Sequence, residues 1–124
     1  MNDKRPVNLD IGTIDLPVTA LVSILHRASG ALLVAGVAVL LWLLDESLAS
    51  EQSFNAIQLV ASSFLCKLLI WAVLSALIYH TVAGVKHLIM DMGVGETLEA
   101  GTAASKMVLV ISVALIVLTG AMIW

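Results

Sequence analysis

His80 lies inside an otherwise apolar stretch, residues 68–85, long enough to cross a bilayer. An imidazole in a membrane span is expensive to bury and serves as a ligand, a proton relay or a contact to a bound group. Ser23, His26 and Arg27 form a second polar group, at the mouth of another apolar stretch. Their i, i+3, i+4 spacing puts them on one helix face. An arginine below the headgroups needs a partner, an anionic ligand or a water-filled pocket. The plain alternative is that Arg27 snorkels to the interface while Ser23 bonds its own backbone.

His80 and His87 also share a face, two helical turns apart. Lys86 marks one end of that stretch, which puts His80 about 9 Å deeper at about 1.5 Å per residue. Imidazole is a common axial ligand of haem iron, and six-coordination requires one on each side. His80 and His87 cannot both bind one iron, because they are stacked along one helix. A second ligand must come from another helix: His26 within this chain, or, more readily, a partner chain. Gly84 and Gly30 remove side-chain bulk near His80 and His26, as close approach of a flat group requires, although small residues serve helix packing equally. Asp91 follows His87 by one turn. It suits a surface pair with Lys86 or His87, or delivery of protons. Tyr79 has the hydroxyl to bond a nearby carbonyl.

These residues must be carried by membrane helices. The chain has 124 residues, 60% hydrophobic and 12% charged, with a mean hydropathy of +1.07. A water-soluble domain of this size needs more charge on its surface. The net charge of -3 carries no nucleic-acid footprint. Cys66 is the one cysteine and has no internal disulfide partner; its flanks mark a plain apolar position. No phosphate loop, metal-ligand cluster or nucleophile–base arrangement is present in the sequence.

Three uncharged stretches, 28–44, 68–85 and 107–124, predict an all-α, integral membrane fold with three spans. Pro17 suits a helix first turn, with Asp15 near enough to cap. One domain covers 1–124: a tail over 1–16, then spans at about 18–44, 57–87 and 104–124. The opening is polar and unlike a signal peptide. Lys4, Arg5, Arg27, Lys86 and Lys106 fall on one side, and Lys67 alone departs. The positive-inside rule then makes the N-terminus cytoplasmic. Trp42, Trp71 and Trp124 fall near the opposite face, where indoles anchor at headgroups. Between the second and third spans, Gly93, Gly95 and Gly101 are expected to break helix, and 96–100 to form a short interfacial turn.

The segments RPVNLD (5–10), SILHRASG (23–30) and YHTVAGVKHLIMD (79–91) resemble the cytochrome b membrane-anchor subunits of succinate dehydrogenase, respiratory complex II. The resemblance covers nearly the whole chain. It implies pairing with a second three-helix anchor around haem b, and docking of a flavoprotein and an iron–sulfur subunit. It implies ubiquinone as substrate, with Ser23 and Arg27 lining the quinone site. It implies His80 as the haem axial ligand, with His26, Arg27 and His87 near the haem propionates and Asp91 near the quinone site. The expected location is the bacterial inner (cytoplasmic) membrane, ahead of the mitochondrial one. Two other readings compete. In one, the chain is a small transporter or channel subunit, with His80 and Arg27 lining a path. In the other it is an anchor without haem. The absence of a mid-span acid and the shared depth of the two polar groups favour the haem- and quinone-binding anchor.

Overall fold

A computed structural model describes residue 7 and residues 9–124. Lys4 and Arg5, part of the expected basic tail, lie outside the described residues. Four α-helices follow a 3-10 turn at Ile11–Thr13: α1 (Val18–Ala49), α2 (Glu51–Ala61), α3 (Phe64–Asp91) and α4 (Leu98–Ile123). α1, α3 and α4 are each long and apolar enough to cross a membrane. Their 32, 28 and 26 residues give lengths of about 48, 42 and 39 Å, more than a hydrocarbon core of about 30 Å.

Local chemistry sets the helix ends. Pro17 is the N-cap of α1 rather than a residue of its first turn. No side chain caps α1, so Asp15 does not have the expected role; the Pro17 carbonyl accepts from the Ala20 and Leu21 N–H groups instead. Asp10 caps the 3-10 turn, its carboxylate accepting from Gly12 N–H at 3.0 Å. α1 continues past Leu44 to Ala49, so most of the acidic connection is helical.

The second span differs from its expected start near residue 57. Residues 51–61 form α2, and α3 begins only at Phe64. Two serines make the break. Ser62 ends α2, and the Ser63 hydroxyl turns back to accept from Cys66 N–H as the N-cap of α3. The apolar residues Ile57 and Val60 therefore belong to a separate short helix. After Asp91, Gly93 and Gly95 take positive φ (81° and 73°), which side chains disfavour, and the chain reverses. Gly101 does not break helix. It is buried inside α4, where a Cβ would approach Met90 of α3 and Thr19 of α1, each at 3.9 Å. The expected turn over 96–100 is divided by the Thr97 N-cap, which accepts from Ala100 N–H at 3.2 Å.

The three long helices alternate in direction. The first half of α1 packs on the second half of α3, where the Tyr79 hydroxyl donates to the Val22 carbonyl at 2.9 Å. The start of α3 packs on the end of α4, where Trp71 Nε1 donates to the Ile116 carbonyl at 3.0 Å. Trp124 meets Trp71 edge-on, with centroids 5.8 Å apart. Trp71 thus locks two helices together rather than serving only as a headgroup anchor. The bundle has a histidine end and a tryptophan end. Val22, Ala83 and Val108, one from each long helix, form its buried core. Large side chains such as Val34, Val110 and Val117 are 78%, 70% and 63% exposed. A bundle that buries small contacts and shows its apolar bulk outward is built for lipid.

Candidate functional site at the histidine end

His26 from α1 and His80 and His87 from α3 converge at one end of the bundle. The His26 and His80 rings stack with centroids 4.1 Å apart and planes 12° apart. His87 meets His26 edge-on at 5.0 Å and 69°. All three are half-buried. Glycine opposite the His80 and His26 rings makes their approach possible. A Cβ on Gly30 would lie 2.8 Å from His80 Cε1, and one on Gly84 would lie 3.3 Å from His26 Nε2. The space expected to admit a flat bound group beside these glycines is filled by the facing helix's imidazole.

The protonation pattern of His80 follows from its partners. His80 Nδ1 lies 3.0 Å from the His26 carbonyl oxygen and 3.1 Å from Ser29 Oγ. Ser29 donates its own proton to the same His26 carbonyl at 2.8 Å. A carbonyl only accepts, so Nδ1 must carry the proton and share it between the two oxygens. In the neutral ring, Nε2 is then the lone-pair nitrogen. It has no hydrogen-bond partner among the described residues. An imidazole held through Nδ1–H with Nε2 free is the arrangement used for metal ligation. Ser29 was not singled out among the sequence candidates, although it stands one turn after His26 on the same face of α1.

His26 does not serve as the opposite axial ligand in this arrangement. Axial imidazoles point at one iron from opposite sides of a macrocycle. Two rings in face-to-face contact leave no gap for one. A second ligand to an iron at His80 would have to come from outside these contacts.

The remaining candidates surround this cluster. Ser23 is half-buried and makes no hydrogen bond among the described residues, so it does not bond its own backbone as the plain reading required. Arg27 is exposed and forms no ion pair among them. Asp91, the last residue of α3, is exposed and lies within electrostatic reach of His87 without pairing directly to it or to Lys86. Lys86 and Arg27 also act on His87. The histidine end therefore gathers three imidazoles, a guanidinium and an ammonium with one nearby carboxylate, a set suited to anionic ligands. Tyr79 bonds a carbonyl, as its hydroxyl suggests. Among the described residues no group of three or more His, Cys, Asp or Glu side chains is arranged to hold a metal ion by itself.

The profile of the succinate dehydrogenase/fumarate reductase transmembrane subunit matches residues 1–119. The chain is 41% identical to the succinate dehydrogenase cytochrome b556 subunit of Coxiella burnetii over the full length of both. It is 34% identical to that of Paracoccus denitrificans, over 94% of this chain and 89% of the relative. Identity to the mitochondrial succinate dehydrogenase cytochrome b560 subunit of Sus scrofa is 32%, over 91% of this chain and 68% of the relative.

Proposed function

The chain belongs to the succinate dehydrogenase/fumarate reductase transmembrane subunit family, and on that premise we propose that it is the haem-holding, quinone-site anchor of a succinate:quinone oxidoreductase in a bacterial inner membrane. It is a membrane protein, and its relatives are cytochrome b subunits of an oxidoreductase. In this reading it pairs with a second three-helix anchor. Together they dock the iron–sulfur and flavoprotein subunits, which oxidise succinate and pass its electrons inward.

The observation that carries the proposal is the His80 Nδ1–H contact to the His26 carbonyl at 3.0 Å. It supports His80 Nε2 as the haem b ligand from this chain, with the second imidazole supplied by the partner anchor. Haem b, when bound, supplies a one-electron store beside the quinone. The residues of this chain do the rest. The His26 carbonyl and Ser29 hold the ring orientation. Arg27 offers positive charge to the propionates, and the His26 and His87 rings offer N–H donors beside it. Ser23 and Arg27, one turn apart on α1, present a hydroxyl and a guanidinium without internal partners. Ser23 donates to a carbonyl oxygen of ubiquinone. Arg27 donates beside it and stabilises the negative charge that grows on that oxygen as electrons arrive. Asp91 is placed at the helix end to pass a proton from water.

The test is a reduced-minus-oxidised optical spectrum of the purified complex, wild type beside His80→Leu. A b-type band that is lost or shifted in the variant supports the reading. An unchanged band moves the ligand elsewhere. The absence of a band from both proteins favours an anchor without haem.

A further inference from the structure

Away from the imidazoles, α3 and α4 leave a groove of about 420 Å³ at the histidine end. Val85, Lys86 and Met90 of α3 and Ala104, Val108 and Ile111 of α4 form its walls. The volume lies in the range of small-molecule sites, about 300–1,000 Å³. Its lining is apolar except at Lys86 and at Thr81, whose hydroxyl is spent on the Leu77 carbonyl, and no acidic residue borders it.

Lys86 is the anomaly. It is only 8% exposed, and it forms no hydrogen bond or ion pair among the described residues. A buried ammonium without a counter-charge is costly. Its position near the end of α3 does not remove that cost, because no helix carbonyl receives its protons. The groove supplies room for hydrocarbon and the ammonium demands an anion. An acyl chain carrying a phosphate meets both conditions.

We propose that the α3–α4 groove is a specific site for an anionic phospholipid, with one acyl chain along Val108 and Ile111 and its phosphate paired to Lys86. The site lies on the side that the distribution of basic residues assigns to the cytoplasm, the leaflet in which anionic headgroups draw basic side chains. The inference needs membrane insertion of the bundle but not the haem or quinone reading.

The test uses the complete complex in nanodiscs of phosphatidylglycerol and phosphatidylcholine in equal amounts. Lipid still bound after detergent extraction is measured by native mass spectrometry. Phosphatidylglycerol is expected to be retained in preference, and Lys86→Met to reduce that retention by about fivefold or more. Lys86→Arg should keep it. Ala104→Phe, which fills the groove and leaves the charge, should also abolish it. If Lys86→Met does not assemble, the Ala104→Phe and Lys86→Arg pair decides the matter. Equal retention of both lipids overturns the proposal. So does retention of a neutral quinone instead, or no retained lipid because a partner subunit covers the groove.

Discussion

His80 Nδ1 donates to the backbone carbonyl of His26 across the α1–α3 contact, at 3.0 Å. The carbonyl belongs to helix backbone, so its position is set by α1 as a whole rather than by a rotamer. Ser29 adds a second acceptor at 3.1 Å and also donates to that carbonyl. Such hydrogen bonding makes a ligating imidazole more electron-rich and favours the oxidised metal.

Ser29→Ala removes one of the two acceptors and leaves the other. Haem binding should persist, and the haem midpoint potential should rise by about 10–40 mV, since about 59 mV corresponds to a tenfold change for one electron. Redox titration of the purified complex measures it. Ser29→Thr should restore the wild-type value. An unchanged potential in Ser29→Ala would remove Ser29 from any positioning role.

Gly30→Ala and Gly84→Ala should differ in severity. The first puts a methyl 2.8 Å from His80 Cε1, the second 3.3 Å from His26 Nε2. Overpacking of this kind costs about 1–3 kcal/mol. Gly30→Ala is expected to lower the haem-to-protein ratio, and Gly84→Ala to lower thermal stability with most haem retained. The reverse order would mean that the His80 ring is free to move away from α1.

Ser23→Ala and Arg27→Ala should slow succinate–ubiquinone reductase activity while succinate oxidation with a soluble dye stays intact. Loss of a hydrogen bond to a charged group, about 1.5–3 kcal/mol, corresponds to roughly 10- to 150-fold. Arg27→Lys should rescue poorly, because an ammonium lacks the planar fork. Equal loss of both activities would point to failed docking of the other subunits instead.

Trp71→Phe tests the opposite end. It removes the bond from Nε1 to the Ile116 carbonyl and should cost about 1 kcal/mol, read as a lower melting temperature of the complex. The haem spectrum should be unaffected, because the tryptophan end shares no contact with the imidazole cluster. A spectral shift would show that the two ends are coupled.

Ser112 is 1% exposed, and its hydroxyl has no partner among the described residues. Leaving a buried hydroxyl unpaired costs about 1–3 kcal/mol. Ser112→Ala should therefore leave thermal stability unchanged or raise it. A clear loss would mean that the hydroxyl finds a partner in the assembled complex.

The sequence by itself determined the class of fold and which residues to suspect. Runs of apolar residues this long have one stable form in lipid, because every backbone polar group must bond within its own helix. That constraint acts along a single segment, so it is visible without the rest of the molecule. The same holds for His80, whose polarity stands out against Leu68 and its apolar neighbours, and for the Ser23, His26 and Arg27 spacing. The start of α3 was less legible. Ile57, Leu59 and Val60 continue the apolar character of the span, and only the two serines, Ser62 ending α2 and Ser63 capping α3, separate the helices. Gly101 read as a helix breaker until its place beside Met90 and Thr19 was known. The tertiary structure alone decided that His26 covers His80, that its carbonyl dictates the tautomer, and that Gly30 and Gly84 make room for imidazoles. It alone buried Lys86 beside α4. These are matters of rotation and axial register between helices. They depend on how whole faces pack, and no periodicity within one helix encodes which ring will meet which carbonyl on another.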